Sequence, residues 1–258
     1  MKPVKIIPCL DVKDNRIVKE IKFADMADAY DPAEAAFIYS TQWADELAFL
    51  DLTATLENRP IHTDWIKNIL SKSGLPLIAG GGISKLSDIE NLLVIGVSKI
   101  ALNTVTPQTK SFVSDAAARF GNEQIIVAID GIKNPPGYGR PRLETVMPNG
   151  DVTPKLELVS WAKQMEAQGA GAILLTSKDA DGTKDGYDLE MTRAVAQSVK
   201  IPVIASGGAG KLEDMYTAVT EGEAQAVLAA SVFHSGIVKI PELKKYLHSK
   251  GIPVNMPH

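Results

Sequence analysis

Ala205-Ser206-Gly207-Gly208-Ala209-Gly210-Lys211-Leu212-Glu213-Asp214 is the stretch on which the fold prediction depends. The apolar run 201–204 precedes it, and apolar residues follow it at helical spacing, so the chain is predicted to pass from a strand through a glycine turn into a helix. Backbone N–H groups at such a turn can surround an anion, and the start of a helix adds a partial positive charge. A purely structural glycine turn is the alternative.

A second copy of this pattern lies earlier in the chain. Ala79-Gly80-Gly81-Gly82-Ile83-Ser84-Lys85-Leu86-Ser87-Asp88 is identical to the first stretch at six of ten positions. Further segments pair in the same order: 6–11 with 125–130, 49–52 with 174–177, and 99–104 with 226–231. This repetition predicts two half-barrels, residues 1–122 and 123–258, related by a pseudo-twofold axis.

Short apolar runs recur along the chain and alternate with helical patterns. The runs are continuous, which is typical of parallel strands buried on both faces. The predicted strands are 5–10, 47–50, 75–79, 99–102, 125–129, 172–175, 201–205 and 226–229. Eight such units in 258 residues favour one domain, a (β/α)8 TIM barrel built from two (β/α)4 half-barrels, over an open doubly wound sheet.

The helical segments carry recognisable start signals. Asp31 before Pro32 predicts an N-cap with proline in the first turn, and Ser84 predicts a second N-cap. Further helices are predicted at 107–119, 156–168, 188–198, 211–221 and 241–250. Two long segments, 11–30 and 131–154, interrupt the rhythm where loops follow strands, and 142–152 is predicted as a hairpin around Asn149-Gly150.

Composition narrows the function classes. A net charge of −4 argues against a nucleic-acid surface, and the absence of an apolar run of about 18 residues argues against a membrane span. One cysteine, Cys9, fits a reducing compartment, so we expect a cytoplasmic protein. The four histidines lack metal-ligand spacing, and the acidic segment 179–186 lacks the spacing of a calcium loop, so no metal is predicted.

Polar residues that follow the strands predict two phosphate sites, one in each half. Each half has a glycine turn after its third strand and a polar turn after its fourth. Neighbouring loops of this kind form phosphate sites in many barrels, so an elongated ligand with a phosphate at each end is expected, against the alternative of a merely structural repeat. The predicted phosphate ligands are Gly81, Gly82, Asn103 and Thr104 in the first half, and Gly207, Gly208, Ala230 and Ser231 in the second.

Asp11 and Asp130 end corresponding apolar strands, one in each half, and should face each other across the barrel mouth. A carboxylate in that position is costly to desolvate unless it is used or paired, so the pair is predicted to act as general acid and base. The alternative is that each aspartate caps its own loop. Secondary polar groups are expected from Asp51, Thr176 and Ser206, and backbone N–H groups from Asp181 and Gly182.

The residues that carry a family resemblance are spread along nearly the whole chain. They are Cys9-Leu10-Asp11-Val12-Lys13, Phe49-Leu50-Asp51, Gly80-Gly81-Gly82-Ile83, Val127-Ala128-Ile129-Asp130, Leu174-Leu175-Thr176-Ser177, Asp181-Gly182-Thr183, the 205–210 turn and Ala229-Ala230-Ser231-Val232-Phe233-His234. This combination resembles the cyclase subunits (HisF) of imidazole glycerol phosphate synthase. Cys-Leu-Asp-Val at the first strand favours the cyclase over the sister isomerase of histidine biosynthesis.

The resemblance implies a lyase of histidine biosynthesis that needs no cofactor. Its substrate would be phosphoribulosyl formimino aminoimidazole carboxamide ribotide, which has a phosphate at each end. A glutaminase subunit, bound as a heterodimer, would send ammonia through the barrel, and the products would be imidazole glycerol phosphate and aminoimidazole carboxamide ribotide. By the same likeness Asp11 and Asp130 are the acid–base pair, Lys19 lies near the substrate, and Lys5, Glu46 and Lys99 belong to an ammonia gate.

Several positions depart from the family pattern. Glu20 and Lys22 alter the first loop, Ala172 replaces an acid of the gate, and Lys5 replaces its arginine, while Ser98 replaces an aspartate that faces the glutaminase. Lysine lacks the planar fork of arginine, so a looser gate is expected. Two alternatives therefore stay open: a paralogue that performs an ammonia-dependent amination in another pathway, and a scaffold that binds bisphosphates without turnover.

Overall fold

The computed structural model describes residues 2–13, 16–17, 31–55, 57, 59–103, 107–133, 142–146 and 152–256. All eight predicted barrel strands are present, and Asp11 and Asp130 lie within their strands, which continue past them. The strands are β1 (Lys5–Lys13), β2 (Arg16–Ile17), β3 (Leu47–Asp51), β4 (Leu77–Gly80), β5 (Lys99–Asn103), β6 (Ile125–Lys133), β7 (Leu143–Val146), β8 (Val152–Glu157), β9 (Ala172–Ser177), β10 (Val203–Ser206) and β11 (Ala226–Ala229).

Eight parallel strands close into a ring. Their order is β5, β4, β3, β1, β11, β10, β9 and β6, and β6 pairs with β5 to complete the barrel. Each strand of the first half therefore stands opposite a strand of the second: β1 opposite β6, β3 opposite β9, β4 opposite β10, and β5 opposite β11. These are the pairs that the sequence repeat links, so the fold is a (β/α)8 TIM barrel with an internal twofold relation.

Helices follow the barrel strands, and every helix predicted from the sequence is present. They are α1 (Pro32–Thr41), α2 (Thr63–Ser73), α3 (Leu86–Val94), α4 (Pro107–Phe120), α5 (Leu158–Ala167), α6 (Leu189–Ala196), α7 (Leu212–Thr220), α8 (Ser231–His234) and α9 (Ile240–Ser249). The helix α2 was not predicted, although Ile66 and Ile69 form a buried stripe at helical spacing. Asp31 caps α1 as expected, since its carboxylate accepts the Ala33 N–H at 2.8 Å.

The predicted N-cap at Ser84 is wrong by one residue. The helix α3 begins at Leu86 with Lys85 as its N-cap, and the Asp88 carboxylate accepts the N–H groups of Ser84 (3.0 Å) and Lys85 (3.1 Å). A carboxylate in the first turn can satisfy these donors as well as a serine cap can. The helix α7 repeats the arrangement in the second half, where Asp214 accepts the N–H groups of Gly210 and Lys211.

Two apolar cores lie on opposite faces of the barrel. The larger core fills the space between strands and helices and holds the largest buried side chains, including Trp161 and Phe49. The smaller core fills the barrel interior and consists of Ile7, Cys9, Ala48, Ile78, Ala101, Ile126, Leu174, Ile204, Ala226 and Leu228. Cys9 is thus a buried core residue, as the sequence predicts.

The long segment after β6 extends the sheet. β6 continues past Asp130 and pairs antiparallel with β7, which pairs antiparallel with β8. The predicted hairpin is therefore present, and its turn, 147–151, lies outside the described residues. In the first half, β2 pairs antiparallel with the end of β1, and the rest of that predicted long loop also lies outside them. Within the described part of the chain, no helix is both long and apolar enough to cross a membrane.

Candidate active site

A cavity of about 360 Å³ opens at the carboxyl ends of the barrel strands, where active sites of this fold are formed. Most of the predicted site residues line it together, although they come from strands all around the ring. Those lining the cavity are Asp11, Asp51, Gly81, Asn103, Asp130, Thr176, Asp181, Gly182, Ser206, Gly207, Gly208, Ala230 and Ser231. Gly82 is not among them, and Lys19 and Thr104 lie outside the described residues.

Asp11 and Asp130 reach the cavity from opposite sides because β1 and β6 are opposite in the ring. Below Asp11 on the same face of β1, the Cys9 thiol donates to Asp11 Oδ1 at 3.1 Å. Two ionisable groups facing one cavity from opposite walls can act on opposite sides of a bound ligand. This is the placement that a general acid and a general base require.

The surroundings of Asp130 favour its protonated form. Burial raises the pKa of the Asp130 carboxyl, and this effect outweighs the hydrogen bond that Asn103 Nδ2 donates to Asp130 Oδ2 at 3.2 Å. The Lys178 charge also lowers the pKa of Asp130, whereas the Asp181 charge raises it. A carboxyl with a raised pKa keeps its proton to higher pH than an exposed aspartate does, which suits it to exchange a proton with a ligand.

Asn103 makes a contact that the sequence did not predict. It lines the cavity, where the sequence places it, and its amide donates to Asp130; its role as a phosphate ligand stays a prediction. Its Oδ1 atom is buried and has no hydrogen-bond partner among the described residues. A buried, unsatisfied amide oxygen beside a cavity is available to a donor on a ligand.

The first glycine turn is packed tightly against the loop that follows β3. Gly81 and Gly82 have φ of +100° and +65°, and a Cβ on Gly81 would lie 2.2 Å from the Asp51 carbonyl oxygen. The Gly82 N–H donates to the Thr55 hydroxyl at 3.1 Å, so this donor is engaged within the protein. Gly81 therefore remains the member of the predicted pair that faces the cavity.

The second glycine turn is packed in the same way against the loop that follows β9. Gly207 and Gly208 have φ of +88° and +101°, and a Cβ on Gly208 would lie 2.1 Å from the Gly186 carbonyl oxygen. Gly207, Gly208 and Ser231 all line the cavity, in the segments that follow the neighbouring strands β10 and β11. Here both glycines of the predicted pair line the cavity.

The Asp51 carboxylate is bonded to other groups of the protein. It is buried, and Arg59 contacts both of its carboxylate oxygens, at 2.6 and 2.9 Å. The carboxylate also accepts the Ala54 N–H at 3.1 Å, and Arg59 bonds Thr53 as well. Asp51 therefore organises the loop after β3 more directly than it offers a charge to a ligand.

Sequence reasoning missed three polar residues that line the cavity: Thr55, Lys178 and Lys184. Lys178 directly follows β9, so the rule that polar residues after barrel strands face the mouth could have identified it. Thr55 and Lys184 lie within loops, where no periodic pattern indicates the direction of a side chain. Among the described residues, no group of three or more His, Cys, Asp or Glu side chains is arranged to hold a metal ion.

The predicted gate residues meet at the opposite end of the barrel. Glu46 is buried, and both of its oxygens contact Lys99 Nζ, at 2.6 and 2.8 Å, while Lys5 pairs with Glu46 from the start of β1. Burial lowers the pKa of Lys5, but its hydrogen bond to Glu46 and the charge of that residue outweigh burial and raise it. Two lysines thus share one carboxylate across the amino-terminal end of the barrel.

The comparison with known families agrees with this architecture. A family model described as "Histidine biosynthesis protein" matches residues 5–239, which includes every barrel strand and the whole cavity lining. The match does not separate the cyclase branch from the isomerase branch. This chain belongs to the histidine biosynthesis protein family.

Proposed function

We propose that the chain is the cyclase of imidazole glycerol phosphate synthase, a lyase that uses ammonia from a glutaminase partner. Its substrate would be phosphoribulosyl formimino aminoimidazole carboxamide ribotide, cleaved and cyclised to imidazole glycerol phosphate and aminoimidazole carboxamide ribotide. The observation that carries the proposal is the joint occupation of one cavity by two opposed carboxylates, Asp11 and Asp130, and two opposed glycine turns. No metal or redox group enters the proposal.

The glycine turns support a ligand that is charged at both ends. Gly81 and Gly207 directly follow the opposite strands β4 and β10, a quarter-turn around the ring from β1 and β6. A ligand stretched between the turns would therefore pass between Asp11 and Asp130. The turns would hold the two phosphates, and the aspartates would act on the middle of the molecule.

The barrel interior supports the cyclase over the isomerase. An ammonia-using enzyme needs a route from the amino-terminal end to the cavity, and the interior layer contains the small apolar side chains of Ala48, Ala101 and Ala226. The ion-paired Lys5, Glu46 and Lys99 lie at the entrance to that layer. An isomerase that takes no ammonia has no need of such a route.

Turnover of the ribotide with ammonium chloride tests the proposal. We expect imidazole glycerol phosphate and aminoimidazole carboxamide ribotide to form together, and we expect glutamine to replace ammonium when the glutaminase subunit is added. Catalysis of the isomerase reaction alone would contradict the cyclase assignment. Binding of the ribotide without any turnover would instead support a scaffold.

Ala172 favours one further candidate, a paralogue that aminates another phosphorylated substrate. Ala172 begins β9 and faces the barrel interior, where the family pattern has an acid that could neutralise the second gate lysine. The two described lysines of the gate therefore outnumber their carboxylate partner, and coupling to a glutaminase would differ from that of the family. Ammonium-dependent turnover that cannot be supported by glutamine and the histidine-pathway glutaminase would favour this candidate.

A further inference from the structure

The two halves of the barrel offer different charges to the cavity. Among the described residues that line it, the cations are Lys178 and Lys184, both in the loop after β9. The carboxylates lining it are Asp11, Asp51, Asp130 and Asp181. Carboxylates outnumber lysines in this lining, so they repel a phosphate that enters the cavity unless it lies close to a lysine. The repulsion is strong because Coulomb energies grow as solvent is excluded.

The arginine in the first half's loop after β3 is not available to a ligand. Arg59 lies in that loop, well past the end of the strand, and its guanidinium bonds Asp51, Thr53 and Glu57. Arg59 is also absent from the cavity lining. Among the described residues, the first half therefore presents its glycine turn without a facing cation.

Lys178 is held at its base and loosely paired at its tip. Its N–H donates to the Gly131 carbonyl oxygen at 2.9 Å, which fixes the start of the side chain beside β6. The Lys178 ammonium lies 3.8 Å from Asp181 Oδ2, longer than the 2.7–2.9 Å typical of a charge-assisted hydrogen bond. The side chain is 44% exposed, so its donors can turn to a ligand.

The same lysine connects the second glycine turn to Asp130. Asp181, its partner, lies against that turn, since a Cβ built on Gly207 would be 3.4 Å from the Asp181 Cβ. On its other side, Lys178 is close enough for its charge to act on Asp130. A phosphate at Gly207 and Gly208 would therefore lie within reach of the Lys178 ammonium.

We propose that Lys178 is a specificity-determining residue that binds the phosphate group held at the second glycine turn. A lysine acts as a flexible point charge, which suits a phosphate already oriented by backbone N–H groups. The second site would then be the stronger of the two, and a substrate with two unlike ends would bind in one orientation. The identity of the bisphosphate rests on the proposed function, but the affinity of this site for phosphate does not.

Site-resolved titration with inorganic phosphate tests the proposal directly. The amide NMR signals of Gly207 and Gly208 report the second turn, and that of Gly81 reports the first. In Lys178→Met we expect phosphate affinity at Gly207 and Gly208 to fall at least about fivefold, with little change at Gly81. Lys67→Met is the matched control, because Lys67 forms a similar i,i+3 pair with Asp64 on a surface helix.

The outcomes separate this proposal from the proposed function. Unchanged affinity at Gly207 in Lys178→Met, or no phosphate binding there in the unmodified protein, would overturn it. Should the methionine variant fail to fold, Lys178→Gln provides the same comparison, and Lys178→Arg should restore part of the affinity. Absence of ribotide turnover would count against the cyclase reaction and would leave the phosphate titration fully interpretable.

A pH profile of activity tests whether the Lys178 ammonium acts on Asp130 in the cavity or has only a structural role. The Lys178 charge lowers the pKa of Asp130, so its removal should raise that pKa and move to higher pH whichever limb of the kcat/KM profile Asp130 controls, the acid limb if it acts as a base and the alkaline limb if it acts as an acid. Lys67→Met should leave the limb in place. An unmoved limb in Lys178→Met would contradict the placement of the ammonium beside Asp130.

Discussion

The two halves of the barrel share a backbone design and differ in the charges that they attach to it. In both, a glycine turn with positive φ packs against the loop of the preceding strand, and an aspartate ten positions into the motif accepts loop N–H groups. In the first half, Arg59 forms an ion pair with the buried Asp51. In the second half, Lys178 lines the cavity. The two halves share what shapes the loops and differ in the charged side chains that line the cavity.

The shared aspartates also correct a simple view of anion binding at helix starts. Asp88 and Asp214 place negative charge at the first turns of α3 and α7, where they satisfy N–H donors and offset the helix dipole. If the turns bind phosphate, the N–H groups left for it are those of Gly81, Gly207 and Gly208, because the Gly82 and Gly210 N–H groups already donate within the protein. The glycines, more than the helices, would then define the two proposed phosphate sites.

Replacing Asp11 or Asp130 by asparagine should have the largest effect. If each half supplies one proton-transfer group, kcat should fall by about 10²–10⁴-fold in either variant, because general acid–base catalysis contributes on that scale. Substrate affinity, measured by calorimetry, should change much less. Asp64→Asn, at an exposed position on α2, is the control, and rates near those of the unmodified enzyme in both variants would refute the acid–base assignment.

Alanine in place of Gly81 or Gly208 should destabilise both halves to a similar extent. Each new Cβ would lie within 2.2 Å of a backbone carbonyl oxygen at a residue with positive φ, so we expect a loss of about 3 kcal/mol in the free energy of unfolding. Gly74→Ala also places alanine at a positive φ (+62°) but has open space around it, and should lose about 1 kcal/mol. Denaturant unfolding measures all three, and a tolerant Gly208 would show that the halves are packed differently.

Arg59→Ala should destabilise the protein through the loop that follows β3 in the first half. It leaves the buried Asp51 carboxylate without its cation, and we expect a loss of about 2–3 kcal/mol, reduced by the partial exposure of the arginine. Arg119→Ala breaks an exposed pair with Glu90 and should cost much less. If the two variants unfold at the same denaturant concentration, Asp51 does not depend on Arg59.

The smallest effect concerns Asp130 and the asparagine beside it. The pKa of Asp130 is raised in the folded state, so its contribution to stability is greatest at acid pH and is lost as pH rises through the folded pKa. Asn103→Leu removes a donor that lowers this pKa and should deepen the loss at neutral pH. In the Asp130→Asn background the same substitution should no longer change the pH dependence of unfolding, and a persistent change would assign the effect elsewhere.

The barrel could be predicted from the chain because its signals are local and repeated. Continuous apolar runs mark strands buried on both faces, and the glycine motifs show which strands correspond. The helix α2 was not predicted from the sequence, although its apolar stripe is regular. Its N-cap is His62, which makes no side-chain capping bond and is not a residue type that signals a helix start. Ser84 was mistaken for a cap because a carboxylate three residues into the helix does the same work.

The sequence predicts which residues line the site, but it does not predict which side chains contact one another there. Residues directly after strands, such as Asp130 and Gly207, face the cavity because the fold directs strand ends there. The pairing of Asp51 with Arg59, and of Asn103 with Asp130, depends on loop geometry that has no period along the chain. Such contacts decide which polar groups remain available to a ligand.

The packing of the glycine turns has a consequence for recombination. Gly81 packs against the Asp51 carbonyl, and Gly208 packs against the Gly186 carbonyl. The shape of each glycine turn therefore depends on a loop from its own half. One half could therefore be exchanged for a homologous segment without disturbing the glycine turns of the other half. The exchange must keep the β5–β6 and β1–β11 strand pairings, which join the two halves. Asn103 and Asp130 meet across the first of these pairings, and a chimaera must inherit them as a pair.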